Sequence, residues 1–346
     1  MSRASSPLRT LAGVLAIVAG AGALTGALLA QGGRFSPRLD VYAHFAPVWL
    51  LGAVLALGPG AILAGPRFRR PLLVVGVLGA LAAGALMVPE LRRAAPPSAD
   101  APSAPAGGRL RLIQYNAWAE NPSPEAAADW IAAQKPDVVA VEELTPALRG
   151  ALIGRGFRYR GGMTLEMGIF SRVPTSRPAV VVPLGEWPVL PEFARGVFPA
   201  PGGGGSFDLV AVHMVWPTGR GYGVHAEALA RLLDLYHSDR LILAGDFNLT
   251  PWSFALRRLD HRLGMARADR ALATWPARID LGGRMIDTAP FLPIDHVFVG
   301  PAWRVLAVRR GPSLGSDHCP LVVDLALVRP GRGVFIAGAP ARDRRT

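Results

Sequence analysis

Two short runs in the second half of this chain set carboxylates beside an amide and an imidazole: Asp246-Phe247-Asn248 and Asp317-His318. Other polar groups close or open β-rich runs elsewhere: Asn116, Glu142 and Glu143, His213 and Asp295. Loops at strand ends are where a rigid scaffold places reactive groups. These types suit the hydrolysis of a phosphoester. That reaction needs a cation on the phosphoryl oxygens, a base for water, and donors for the transition state and leaving group. Carboxylates and amides are oxygen ligands that fit Mg²⁺ or Mn²⁺. With no cysteine cluster and no His-x-x-x-His pair, zinc is not indicated. An Asp–His pair fixes a tautomer and supports a charged imidazole. Each residue alone has an ordinary alternative: Asn116 could cap a turn, Glu142-Glu143 could be a solvated edge, and Gly245-Asp246 could be a turn. Their combination is harder to dismiss.

The elements that must position these groups are short. Strands are expected at Leu110–Tyr115, Asp137–Val141, Gly168–Ser171, Phe207–His213, Leu241–Ala244, Ile294–Val299 and Leu321–Leu325. A helix should start from Ser123 as N-cap with Pro124 at its first position and run to about Gln134. A second covers about His225–His237, with Leu229, Leu232, Leu233 and Tyr236 on one face, and a third follows Thr250-Pro251-Trp252. Strands alternating with a few helices over residues 109–328 suit a single α/β domain.

The first part of the chain is different. The 346 residues are 51% hydrophobic with a mean hydropathy of +0.29, and the surplus lies before residue 90. Three stretches without a charge, about 11–30, 45–64 and 72–88, each approach the length that crosses a bilayer. Residues 1–93 are therefore expected to form a membrane domain of three transmembrane helices. Arg3, Arg9 and the Arg67, Arg69, Arg70 cluster favour a cytoplasmic N-terminus, against Arg34, Arg38, Arg92 and Arg93 on the other face. That arrangement makes a multi-pass protein of the cell membrane with everything after residue 88 outside the cytoplasm. Residues 94–108 (AAPPSADAPSAPAGG) read as a flexible linker, and 329–346 as a loose basic tail. The formal charge of +12 is shared equally by the first 108 residues and the rest, and would help attract phosphates or anionic headgroups. Cys319 is the sole cysteine, which excludes an intrachain disulfide, and it reads as a small core residue.

From about Leu110 to Leu325 the chain resembles the endonuclease/exonuclease/phosphatase superfamily, the DNase I-like phosphoesterases. The resemblance rests on Gln114-Tyr115-Asn116-Ala117-Trp118, Pro136-Asp137-Val138-Val139 leading to Glu143, Gly168-Ile169-Phe170-Ser171-Arg172, His213, Gly245-Asp246-Phe247-Asn248, Ile294-Asp295-His296 and Gly315-Ser316-Asp317-His318-Cys319-Pro320, in the family's order. It implies a four-layer αββα sandwich with the site at one rim. It also implies roles. Glu143 is the principal metal ligand, helped by Asn116 and Asp317. Asp246 aligns or deprotonates water, Asn248 holds a phosphate oxygen, and His318, oriented by Asp295, donates to the phosphoryl group. His213 is the candidate acid for the leaving oxygen. The sequence departs from the family where Glu142 replaces a usual Gln. Adjacent strand residues face opposite ways, and the six-residue offset from Asp137 favours Glu143 over Glu142.

The substrate is less defined. The layout around Thr250-Pro251-Trp252-Ser253 and Thr274-Trp275-Pro276 is similar to bacterial membrane phosphoesterases associated with teicoplanin resistance. That similarity implies a phosphate ester or anhydride of a lipid carrier such as undecaprenyl pyrophosphate, with Trp252 and Trp275 either core residues or substrate contacts. Two alternatives stand beside it: an extracytoplasmic nuclease that uses Arg257, Arg258, Arg262, Arg267 and Arg270, and a catalytically inactive membrane binding module.

Overall fold

The computed structural model describes residues 7–94, 108–161, 166–175, 177–181, 193–218, 222–236 and 238–328. Most of the expected linker and all of the expected tail lie outside these. The chain forms two compact units. One comprises residues 1–95, 216–220 and 249–259, and the other 96–215, 221–248 and 260–346.

In the first unit, helices α1 (Pro7–Gln31), α2 (Ala46–Leu55) and α3 (Pro66–Leu91) account for the three apolar stretches. Helix α2 does not run smoothly to the end of its stretch. Pro59 has no N–H to donate, and the backbone widens into a π-turn at Ala56–Gly60 before a last turn at Ala61–Leu63. With their flanking turns, the segments Pro7–Arg34, Pro37–Leu63 and Pro66–Leu91 are long and apolar enough to cross a membrane. Their outer faces leave Leu11, Leu15, Val18, Leu51, Leu73, Val74 and Leu81 exposed.

The second unit is a sandwich of two six-stranded sheets. In chain order the strands are β1 (Arg109–Asn116), β2 (Val138–Glu142), β3 (Arg158–Gly161), β4 (Met167–Ser171), β5 (Arg177–Val181), β6 (Phe193–Pro199), β7 (Ser206–His213), β8 (Leu241–Asp246), β9 (Ala266–Arg267), the small hairpin β10 (Arg278–Asp280) and β11 (Met285–Asp287), β12 (Asp295–Val299), β13 (Trp303–Arg310) and β14 (Leu321–Leu327). The sheet orders are β13-β14-β1-β2-β4-β3 and β5-β6-β7-β8-β12-β9. Side chains alternate across a strand. One set (Leu112, Val138, Ile169 and Val323 facing Phe198, Leu209, Ile242 and Val297) fills the space between the sheets. The alternate set on the first sheet (Ile113, Tyr115, Val139, Val141, Phe170) packs under helices α4 (Pro124–Ala133) and α5 (Pro146–Gly154). Helix α6 (Tyr222–Tyr236) buries Leu229, Leu232 and Leu233, and Arg195 of β6 lies 4.0 Å over its Tyr236 ring. The four layers are αββα. Helix α7 (Phe254–Leu263) follows the Thr250-Pro251-Trp252 run. Ser123 precedes α4 but makes no side-chain cap. Its own N–H is bound by Asn121 Oδ1 at 2.8 Å.

Register brings the polar strand ends to one rim. Parallel pairing of β1 with β2 sets Asn116 opposite Glu142, and parallel pairing of β7 with β8 sets His213 opposite Asp246. Strand β12 runs antiparallel to β8, so its first residue, Asp295, also faces Asp246. Gly245 is required here: a Cβ would stand 1.8 Å from the Val212 carbonyl oxygen.

Strand β12 is pinned from behind. His296, next to Asp295 and fully buried, shares its Nδ1 proton with Asp269 Oδ2 at 2.8 Å. Arg267 lies 3.6 Å from the same carboxylate and 3.2 Å from Asp260. Burial alone would raise the Asp269 carboxyl, but His296 and then Arg267 hold it at about 2. Its folded pKa is below the unfolded one, so its contribution is complete above about pH 4 and vanishes as pH falls through about 2. A depression of that size corresponds to about 2 kcal/mol at neutral pH. Asp269→Asn, measured by thermal unfolding in detergent, is expected to lose at least that much and to flatten the wild type's loss of stability between about pH 4 and 2. An unchanged melting temperature at neutral pH would show that the pair does not hold β12.

Candidate active site

The rim residues form one connected cluster. Asp295 Oδ2 and His318 Nδ1 lie 2.9 Å apart, both buried. Burial disfavours the imidazolium, yet the charge and hydrogen bond of Asp295, then Asp246 and Asp317, raise His318 to about 10. Asp295 is held below its ordinary value against its own burial by that same partner. The pair is therefore carboxylate and imidazolium, and Nε2 of His318 points to Asp246 Oδ2, 3.7 Å away. On the other side of Asp246, His213 Nε2 lies 3.8 Å from the same oxygen and 3.9 Å from Glu143 Oε1. Burial raises the Asp246 carboxyl above the usual carboxylate range, which gives it a base strength suited to water. Asp246 Oδ1 is occupied by the Asn248 N–H at 2.8 Å. Asn248 has φ +52°, and one N–H of its side-chain amide donates to the Met214 carbonyl at 2.7 Å.

The two glutamates are not related by strand alternation as the sequence suggests. Strand β2 ends at Glu142, and Glu143 lies beyond it with φ +50°. That left-handed turn brings the Glu143 carboxylate to the rim, 28% exposed, where it accepts from Asn116 Nδ2 and the Ala119 N–H, each at 3.0 Å. Glu142 is fully buried, and burial followed by the Asp295 charge pushes its carboxyl well above the ordinary value.

Asn116 lies between two carboxylates. Its Nδ2 donates to Glu143 and, at 3.1 Å, to Asp246 Oδ2, while its Oδ1 accepts the Trp118 N–H at 3.0 Å. It spaces two carboxylates and turns its oxygen, the atom a metal would take, away from them. Asp317 accepts the Trp275 indole N–H at 2.9 Å, and burial, with a further push from Glu143, raises its carboxyl. Trp275 therefore joins the cluster as a partner of Asp317. Trp252 belongs to the other unit, 4% exposed, with its indole N–H donated to the His44 carbonyl at 3.0 Å. Its ring is packed by protein and offers no face to a ligand.

Two groups that sequence reasoning did not single out hold the cluster together. Gln114 donates through Nε2 to Glu142 at 2.9 Å and to Asp295 Oδ1 at 2.8 Å, fixing the second oxygen of the Asp295 carboxylate. Ser316 donates to the Asn116 carbonyl and accepts the His318 N–H, both at 2.9 Å, tying the Asp317-His318 loop to the end of β1. Both lie inside the quoted motifs, but nothing local in the sequence points to their partners. Cys319 is buried, and burial pushes its thiol up to about 11, as fits a core residue.

The donor set fits a hard divalent cation. Ligand atoms of Asp246, Asp295 and His318 lie within 4.8 Å of one another, but Asp295 and His318 satisfy each other and are better described as a proton-holding pair. Glu143 and Asp317 are partly open at the rim and offer the carboxylate oxygens that would meet such a cation.

The sequence profile of the Endonuclease/Exonuclease/phosphatase family matches residues 113–318. No curated protein matches the chain by sequence. Among solved structures, the endonuclease/exonuclease/phosphatase from Bacteroides vulgatus superposes with a TM-score of 0.51 at 19% identity, over 63% of this chain and 99% of that one. A family protein from Bacteroides thetaiotaomicron gives a TM-score of 0.51 at 18% identity, over 66% and 98%. These likenesses are of fold, and the profile match spans more than half of the chain and every rim residue described above. The chain belongs to the endonuclease/exonuclease/phosphatase family and is a metal-dependent phosphoric ester hydrolase.

Proposed function

We propose that this protein is a membrane-anchored Mg²⁺- or Mn²⁺-dependent phosphoesterase acting on a lipid-linked phosphate ester or anhydride, such as a polyprenyl pyrophosphate carrier. The observation that carries the reading is the helical unit. Three segments of 26–28 residues turn leucines and valines outward, and only lipid would cover such surface. A chain anchored in this way meets its substrate at the bilayer. The nuclease alternative needs a free basic groove, and three of the five arginines offered for it are engaged within the protein. Arg267 is buried between Asp260 and Asp269, Arg257 donates to the Leu86 carbonyl, and Arg258 lies 3.8 Å from Asp40.

In the mechanism supported by this geometry, Glu143 and Asp317 would hold the cation, with Asn116 fixing Glu143. When bound, the ion neutralises charge on the phosphoryl oxygens. Asp246 takes the proton of the attacking water at Oδ2, between the two imidazoles. His318 donates from Nε2 to a phosphoryl oxygen, its charge supported by Asp295, which is held in turn by Gln114. His213 protonates the leaving oxygen, and the second amide N–H of Asn248 binds a phosphate oxygen.

Full-length protein in lipid nanodiscs is expected to hydrolyse bis-p-nitrophenyl phosphate and undecaprenyl pyrophosphate, to stop with EDTA and to recover with Mg²⁺ or Mn²⁺. Asp246→Asn is expected to lower kcat by about 10²–10⁴-fold. No metal-dependent turnover of any phosphoester would sink the reading, and turnover of DNA alone would replace the substrate. Glu143→Gln should weaken Mn²⁺ binding, measured by titration calorimetry, at least about tenfold, while Glu142→Gln stays within twofold. Equal losses would move the ligand role to Glu142. A reporter fused after Ala95 should be active only outside the cytoplasm. Activity confined to the cytoplasm would invert the topology.

A further inference from the structure

The segment that runs on from Asn248 is fastened by a turn more than 200 residues earlier. Residues 249–259 fold with the helical unit, and their contacts there are specific. Asp40, 2% exposed, accepts from the Phe254 N–H at 2.8 Å and the Ala255 N–H at 2.7 Å, the first two residues of α7. Amides at a helix start have no partner within the helix, and a buried carboxylate against them makes a charge-assisted cap. From the same turn, His44 Nδ1 accepts the Thr250 N–H at 3.2 Å, and the His44 carbonyl accepts the Trp252 indole N–H at 3.0 Å. Gly33 closes the turn with no room to spare. A Cβ there would stand 2.6 Å from Asp40 Oδ1 and 2.8 Å from the Phe254 ring.

All of these bonds fall on residues 250–255, directly after the Asp246-Phe247-Asn248 loop. Asn248 is held in a left-handed conformation, which asparagine adopts more readily than most residues but which still depends on the contacts around it. We infer that the turn from Gly33 to His44 is a positioning element for this loop: by pinning residues 250–255 it keeps Asn248 in the conformation that presents its amide to phosphate. Asp40 and His44 touch no reacting atom and act through the chain between them and Asn248. The inference rests on the phosphate-binding role proposed for Asn248. On this reading the helices do more than tether the enzyme.

The test uses the full chain in nanodiscs, with Asp40→Ala, Asp40→Asn and Gly33→Ala compared with wild type. Hydrogen exchange of the peptide covering residues 246–256 is expected to accelerate about tenfold in Asp40→Ala, the scale of losing a helix cap. Asp40→Asn, which keeps one acceptor, should show a smaller effect. With bis-p-nitrophenyl phosphate, kcat should fall in the same order while Mn²⁺ affinity stays within twofold. Where Asp40→Ala fails to fold, the Asp40→Asn and Gly33→Ala pair carries the comparison. Unchanged exchange, or faster exchange with unchanged kcat, would overturn the inference. If the wild type hydrolyses none of the phosphoesters, the proposed function fails, and the exchange measurement alone decides whether the turn holds the loop.

Discussion

The site depends on a buried ion pair that crosses between the two sheets. Asp295 opens a strand of one sheet, His318 leads into a strand of the other, and their contact at 2.9 Å is closed to water. Two charges in such a place are stable only if each is the other's partner and the remaining lone pairs are satisfied. Gln114 on the first sheet meets that condition for Asp295, and the Asp269–His296 pair behind β12 keeps the strand from relaxing. The rest of the rim follows from this pair. Asp246 sits between two imidazole nitrogens because its strand is registered against both Asp295 and His213.

Much of this was legible in the sequence because so many polar groups fall together at strand ends. Asp246-x-Asn248, Asp295 and Asp317-His318 each follow or precede an apolar run, the order of those runs pointed to an α/β domain, and the four-layer sandwich came from the family resemblance. The Glu142-Glu143 choice came out in favour of Glu143 at the rim for a different reason than alternation. A single positive φ after β2, invisible in residue types, turns it there. Gln114 read only as one letter of a strand, since its two partners lie 28 and 181 residues away.

Two positions make bonds that their residue types do not announce. Asn116 carries both a donor and an acceptor, and which of them faces the carboxylates depends on where the Trp118 amide falls. Trp252, which the sequence left open between core residue and substrate contact, gives its indole N–H to a carbonyl from a turn between two apolar helices. Pairings of this kind join segments with no shared pattern, so residue type alone cannot find them.

The bond between Asp40 and the start of α7 has a counting consequence. Residue 40 follows the first apolar helix, and residue 254 follows the third. Two groups that hydrogen-bond must lie on the same side of any bilayer, so the chain between them has to cross it an even number of times. The second helix, broken at Pro59, and the third are each long and apolar enough to cross, and together would supply two crossings. A variant that lost or gained a single crossing would leave Asp40 and the α7 amides on opposite faces, each a buried polar group without its partner.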